Sequence, residues 1–480
     1  MTTINILIYT DSKDFSPISG DGDLRVSKLK ELLEMKRQGF AEFKLEVINR
    51  YENFVQPQIP EKPKTIQKLT SELLNRFDEV WFFGWYQSNV DQEFEETYGG
   101  RENELDDKEV EQLTKWMTCG GVLMTGDHSL HAPGGKDTDP RDTFLCLGRA
   151  LGHRVPRAGR LRKWEGPPTI NADDSFNTLV RTGVSSDLQA DAVPQTLRLT
   201  RSHPNSPPHP IFLGERRTID VFPDHGHEGK LIPPELDCNW PPFDEKDASK
   251  KPGPEFVASG CDKRSCQSSP VLAVYDGDNL GVGRIVADSS WHHYVNVNLS
   301  GFTDVSQDST LDLLAQFFHN LALYLAPRSK REQMSRDLIA WLVQHPAVKE
   351  ERGNDPVIVG KIALHNLSQI TTGFEIEELF HLAVAGQMTA DRQRATFSSV
   401  ASERSLIPSL ELVMGSIINR YYRAASDRLS PDVAKTAAIS KDEDIIAAGL
   451  EDAFSSQGEW LAKALSEVPQ LRLATLDQGT

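Results

Sequence analysis

The chain reads as an α/β protein followed by an all-α region. Three observations predict this. Short apolar runs alternate with segments of helical period up to about residue 130, two further strand-like runs recur between 271 and 288, and beyond 330 the helical period continues without a convincing strand. Apolar strands separated by helices imply a mostly parallel sheet with both faces covered.

Residues 4–9 form an apolar run ending in Thr10-Asp11-Ser12. Leu24, Val26, Leu29, Leu32 and Leu33 then recur at helical spacing. Residues 43–49 read as the second strand, and Ile66, Leu69, Leu73 and Leu74 as a helix. Residues 80–84 form the third strand. Val110, Leu113 and Trp116 belong to a helix before Gly120-Gly121, and 122–125 form the fourth strand. From about 131 to 270 the periodicity fades, and twelve prolines fall between 201 and 270. This predicts a long, loop-rich insert with strands only near 196–199 and 218–222. Residues 271–275 and 283–288 are two more strands joined by a Gly-rich turn. Residues 311–325 are a strong amphipathic helix that Pro327 stops. Periodic segments at 334–343, 358–367, 376–385, 406–422 and 445–465 predict a separate helical domain. The expected domains are therefore 1–328, with its insert, and 331–480.

A chain of 480 residues suits about two to four domains of roughly 100–200 residues each. Lys and Arg number 52 against 70 Asp and Glu, a net charge of −18. That excludes a general binder of nucleic acid or of anionic membranes, since phosphate recognition needs a positive surface. No apolar run approaches the ~20 residues that span a bilayer. The first ten residues lack the basic n-region and cleavage site of a signal peptide. Five cysteines, sparse and odd in number, suit a reduced, cytoplasmic protein better than a disulfide framework.

In an open parallel sheet, ligands bind beyond the carboxyl ends of the strands. The first strand runs into Asp11, the fourth into Gly126-Asp127-His128-Ser129, and the last into Asp288-Ser289-Ser290-Trp291-His292-His293-Tyr294. A loop before the last two strands carries Asp224-His225-Gly226-His227-Glu228. Ten of the 13 histidines precede residue 330, and four of them sit in these last two clusters.

For 224–228 three readings stand side by side. His-x-His can put two imidazoles on one side of an extended segment, with carboxylates as further metal ligands or as a base. One histidine near its neutral-pH midpoint could instead do metal-free acid/base work, oriented by Glu or Asp. The third is a polar loop whose histidines bond backbone and pack on Phe222 and Pro223. Asp127 either serves a site directly or caps a following helix. Adjacent His128 and Ser129 rarely reach the geometry of a nucleophilic pair. In 291–294 successive side chains alternate, so one of His292 and His293 is expected to point inward. The alternation of Val295, Asn296, Val297 and Asn298 predicts a short extended segment after them.

Other features carry less. Arg154, Arg157, Arg160, Arg162 and Lys163 form a basic run that could hold a phosphate or carboxylate, or be a solvated surface. Cys261 and Cys266 lack the usual zinc spacing, and Gly281-Val282-Gly283 lacks the full dinucleotide fingerprint, so no nucleotide cofactor is predicted.

The segment from Gly120 through Gly121-Val122-Leu123-Met124-Thr125-Gly126-Asp127-His128 to Ser129, preceded by Leu113-Thr114-Lys115-Trp116, resembles the ThuA-like (trehalose-utilisation) branch of the class I glutamine amidotransferase-like superfamily. In that branch a Gly-rich strand ends in a His-Ser-type turn. Gly283-Arg284-Ile285-Val286-Ala287-Asp288 is similar to the branch's final Gly-Arg strand, which leads to a histidine. The resemblance covers roughly residues 1–328 and leaves the helical region unassigned. It implies a flavodoxin-like, doubly wound α/β fold and, through the branch's link to carbohydrate metabolism, a sugar-like ligand. It does not imply amidotransferase activity: that chemistry needs an elbow cysteine where this chain has His128, and Cys119 and Cys146 lie too far along the chain to replace it.

The expected function is hydrolytic or acid/base chemistry on a small polar, sugar-like substrate. The expected catalytic residues are Asp127, His128, Glu228 and His293. A divalent metal, zinc or similar, would be held by His225, His227 and Asp127, with Glu228 as base. Asp11, Asp224, Trp291 and His292 would hold substrate. The alternative is a non-catalytic ligand-binding scaffold on the same fold, with 331–480 mediating homo-oligomer or protein-partner assembly.

Overall fold

The computed structural model describes residues 1–10, 25–35, 39–52, 65–83, 107–125, 195–201, 208–223 except 216, 255–261, 268–278, 283–288, 291–378 except 301, 303–308, 352 and 377, 410–428, 448–449, 451–453 and 455–456. These fall into two compact units, one of residues 2–37 and 41–330, the other of residues 1, 38–40 and 331–480.

The larger unit is built on an eight-stranded sheet. Its parallel half comprises β1 (Thr2–Thr10), β2 (Ala41–Asn49), β5 (Glu79–Phe83), β6 (Gly121–Thr125) and β12 (Gly283–Asp288), in the order β2-β1-β5-β6-β12. By sequence rank among these five strands the order is 2-1-3-4-5, that of flavodoxin-like doubly wound sheets. The antiparallel half continues through β11 (Ser268–Gly277), β10 (Glu255–Cys261) and β8 (Arg198–Leu199). The switch falls where a short hairpin, rather than a crossover helix, joins β11 to β12. Two-residue ladders pair β3 (Tyr51–Glu52) with β4 (Thr65–Ile66), and β7 (Gln195–Thr196) with β9 (Val221–Phe222).

β5 and β6 are buried at every residue because both faces are covered, which is why 80–83 and 122–124 read as apolar runs without alternation. On one face Leu7, Tyr9, Val80, Phe82, Val122, Met124 and Ile285 form a core with Leu69 and Leu74 at α2 (Ser71–Leu74) and Leu113 of α3 (Asp107–Trp116). Alternate residues point the other way. There Trp81 and Phe83 meet Tyr294, which in turn packs on Phe318 of α5 (Thr310–Leu325). The first helix of the chain, α1 (Ser27–Glu34), buries Leu29, Leu32 and Leu33.

Three expectations differ from the structure. Ile66 lies in β4, not in a helix. Thr70 opens α2 by accepting the Leu73 N–H at 3.2 Å, so the helix starts only after Leu69. β10 went unread in the proline-rich insert. Its register shifts between Phe256 and Ser259 break the period that would announce a strand, and its pairing with β11 and β8 supplies the order instead. Residues 295–298 are not extended: Asn296–Leu299 form a one-turn helix, α4. Val295 and Leu299, four apart, are both buried, so the helical spacing decides over the Val/Asn alternation.

In the second unit every regular element among the described residues is helical: α6 (Arg328–Gln344, which begins in the larger unit), α7 (Pro346–Glu350), α8 (Pro356–Leu367) and α9 (Leu410–Arg428). Asp355 caps α8, accepting the Val357 N–H at 2.8 Å, with Pro356 at its first turn. A Cβ on Gly360 would strike the Glu411 carbonyl, and one on Gly415 the Pro356 carbonyl, so α8 and α9 touch backbone to backbone. Nothing larger than glycine fits at either crossing.

Candidate functional site

Four strands end side by side. Thr10 pairs with Phe83 and Asp288 with Thr125, in adjacent strands of one parallel ladder. Phe83, Thr125 and Asp288 therefore point from the same face at the carboxyl rim of the sheet. Thr125 fastens β6 there, its Oγ1 donating to the Phe82 carbonyl at 2.8 Å.

Asp288, the last residue of β12, is the polar centre of this rim. Its Oδ1 lies 2.8 Å from Nδ1 of His293, and its Oδ2 accepts the Tyr294 hydroxyl at 2.8 Å. Both partners come from the 3-10 turn Trp291–Tyr294, which folds the chain back over the strand end. All three side chains are buried, with Asp288 and His293 each 1% exposed. Burial holds the Tyr294 phenol well above its ordinary range, and the Asp288 charge and hydrogen bond push it the same way. Tyr294 thus stays a neutral donor to the carboxylate.

The carboxylate sets the imidazole. In the neutral tautomer whose Nδ1–H donates to Oδ1, Nε2 is the acceptor atom. Asp288 is the hydrogen-bond partner of His293 among the described residues. A carboxylate-held imidazole of this kind can accept a proton or bind a cation through Nε2. The Phe222 ring packs against it at 4.5 Å between centroids.

Of the residues expected from sequence, His293 is at the rim, and its side chain is buried. Trp291 and His292 belong to the same turn, but only their backbone falls within the described structure. Asp11, Asp127, His128, Asp224, His225, His227 and Glu228 lie outside the described residues, as do the basic run 154–163 and Cys266. The points from which the chain enters these stretches are nonetheless close. Thr10 precedes Asp11, Thr125 stands two residues before Asp127, and Phe222, against His293, two before Asp224. Sequence reading missed Asp288 and Tyr294 as site residues. The signal was a carboxylate closing an apolar strand five residues before a histidine.

Among the described residues no group of three or more His, Cys, Asp or Glu is arranged to hold a metal ion, and no helix is long and apolar enough to cross a membrane. Comparison with known proteins finds no matching protein-family model, no matching curated protein and no matching solved structure.

Proposed function

We propose that the chain is an enzyme whose active centre lies at the carboxyl rim of the sheet and performs hydrolytic or acid/base chemistry on a small polar substrate. The observation that carries this reading is the buried Asp288–His293 pair, a carboxylate-held imidazole at the carboxyl rim, the side of the sheet where open α/β folds bind ligands. In this reading His293 is the general base, through Nε2. Asp127, His128 and Glu228 complete the catalytic set, and Asp11, Asp224, Trp291 and His292 hold substrate. The metal-assisted version adds a divalent ion on His225, His227 and Asp127, with Glu228 activating water. The strand order supports the flavodoxin-like class. Descent from the ThuA-like branch, and with it a sugar-like substrate and a cytoplasmic setting, is proposed on segments 113–129 and 283–288.

The test is a panel of chromogenic glycosides, esters and amides, assayed on the full chain with and without added zinc. Turnover found in the wild type should fall on the order of 10³–10⁴-fold in Asp288→Asn and at least as far in His293→Ala, as when an orienting carboxylate is lost elsewhere. Equal turnover in His293→Ala and wild type would sink the reading. The metal arm is read separately: bound zinc should drop in the His225→Ala/His227→Ala double variant, and equal metal content would remove that version. A chain that turns over nothing yet oligomerises through 331–480 would favour the scaffold alternative.

A further inference from the structure

Residues 208–222 of the insert lie against α5, and this passage is tied down from one side. Asn320, fully buried on α5, donates through Nδ2 to the carbonyls of Ile211 at 3.0 Å and Leu213 at 2.9 Å. One turn earlier, Gln316 Oε1 accepts the Glu215 N–H at 2.8 Å, and its Nε2 is held by Asp312 at 2.6 Å. The pinned segment then closes on itself. Ile219 N–H donates to the Phe212 carbonyl at 2.8 Å, and Gly214 N–H to the Arg217 carbonyl at 3.1 Å. Two residues beyond Asp220 the chain delivers Phe222. Its ring meets Phe317 of α5 at 4.9 Å and His293 at 4.5 Å. Phe212 stacks on the same Phe317 ring at 5.8 Å, so helix, insert and imidazole share one aromatic seam.

A loop cannot bury carbonyls without partners except at considerable cost. Asn320 supplies both partners for the turn at 210–213 from a single amide. Its neighbours Phe317, Phe318 and Leu321 are apolar and equally buried.

We propose that Asn320 is a positioning residue: by anchoring the 208–222 passage of the insert to α5 it holds Phe222 as a fixed cover against His293. The inference rests on the reading of His293 as a functional group and adds the direction of access. Substrate reaches Nε2 from the side away from Phe222, and this part of the insert does not lift to admit it. Phe222 acts on the imidazole by excluding water from one face of the ring, and Asn320 acts only through Phe222.

The experiment reads the imidazole itself. Carbethoxylation of His293 by diethyl pyrocarbonate is followed by mass spectrometry of the full chain, with the exposed His365 as internal standard. In the wild type His293 should react at least tenfold more slowly than His365. Phe222→Ala should raise its rate by tenfold or more, and Asn320→Leu should reproduce that rise, with His365 unchanged in both. Should Asn320→Leu fail to fold, Gln316→Leu, which frees the Glu215 N–H, takes its place with a smaller rise in the same direction. An unchanged His293 rate in Phe222→Ala overturns the cover, and a rise in Phe222→Ala without one in the folded Asn320 or Gln316 variant overturns the anchor. Because no turnover is measured, the cover can stand or fall apart from the enzyme reading: a responsive His293 in a protein without activity keeps this inference and removes the other.

Discussion

Two buried polar clusters sit near the carboxyl ends of the parallel strands, and they are built on opposite plans. At the β2 end, the Arg50 guanidinium grips Glu109 with both terminal nitrogens, at 2.6 and 2.8 Å, and also donates to the Tyr9 hydroxyl at 3.0 Å. Glu109 also accepts the Leu69 N–H at 2.9 Å, and the Tyr9 hydroxyl donates to the Gln67 carbonyl at 2.5 Å. Burial alone would push the guanidinium down, but the hydrogen bonds and charges of Glu109 and Tyr9 outweigh it and raise it. This cluster joins β1, α3 and the chain around β4 into one piece, and its members are occupied by one another. At the β12 end, Asp288 is likewise engaged by His293 and Tyr294, but the imidazole has a second ring nitrogen that Asp288 does not hold. A closed polar cluster specifies structure, whereas one that ends in an aimed imidazole can also do chemistry.

The comparison breaks most forcefully at Arg50. Arg50→Met leaves the Glu109 carboxylate buried without its cation, at a cost of about 3–5 kcal/mol. Urea denaturation should show that loss. Adding Glu109→Leu should recover part of it, since removing both charges costs less than removing one. If Arg50→Met is as stable as the wild type, the cluster is not the fastening described.

A third buried carboxylate sharpens the contrast: among the described residues no cation pairs with it. Glu375 accepts the Phe40 N–H at 3.0 Å through Oε1 and the Thr371 hydroxyl through Oε2. Burial raises its carboxyl from 4.5 to about 7, against the lowering effect of the Phe40 hydrogen bond. A folded-state value above the unfolded one means the folded chain holds the proton more tightly. The resulting stability is full below about pH 4.5 and is lost as pH rises through about 7. The span is roughly 3 kcal/mol. Denaturation midpoints of wild type and Glu375→Gln between pH 4 and 8 should therefore diverge, with the wild type falling relative to the variant as pH rises. Parallel profiles would show that Glu375 ionises without strain.

Tyr294 tests the open cluster from its structural side. Tyr294→Phe removes one donor from a buried carboxylate and should cost about 1–3 kcal/mol. The His293–Asp288 bond survives in that variant, so turnover should fall far less than in Asp288→Asn. A loss of turnover matching Asp288→Asn would mean that the phenol, not the imidazole, carries the chemistry.

How much of this was readable beforehand follows from how local each cause is. The parallel strands were legible because burial on both faces leaves a short apolar run in each, as in 80–83 and 122–124. β10 was not, because its order comes from β11 and β8 and its register shifts hide any period. His293 was legible as a histidine after a strand end. Asp288 and Tyr294 were not singled out, because their roles depend on a tight turn that brings residues five and six positions apart onto one carboxylate. The Arg50–Glu109 pair links residues 59 apart in sequence and left no pattern at all. The remaining candidate residues, from Asp11 to Glu228, lie outside the described residues.

The smallest effect concerns how the turn after His293 is held. α1 has no capping side chain of its own at Val26. Asn296 provides one from the far end of the sequence: its Oδ1 accepts the Lys28 N–H at 2.8 Å, and its Nδ2 donates to the Ser27 hydroxyl at 2.7 Å. Its backbone N–H also donates to the Arg25 carbonyl at 2.7 Å, a bond that no substitution but proline removes. Asn296→Ala should then cost about 1 kcal/mol, the usual worth of a helix cap. Asn296→Asp keeps the acceptor and places a negative charge at the positive end of α1, so it should cost little. Hydrogen exchange at the Lys28 amide reads the difference directly: faster in Asn296→Ala, near wild type in Asn296→Asp. Equal protection in all three proteins would mean that the backbone bond to Arg25 alone holds the start of α1, and that the Asn296 side chain is not what couples it to the rim.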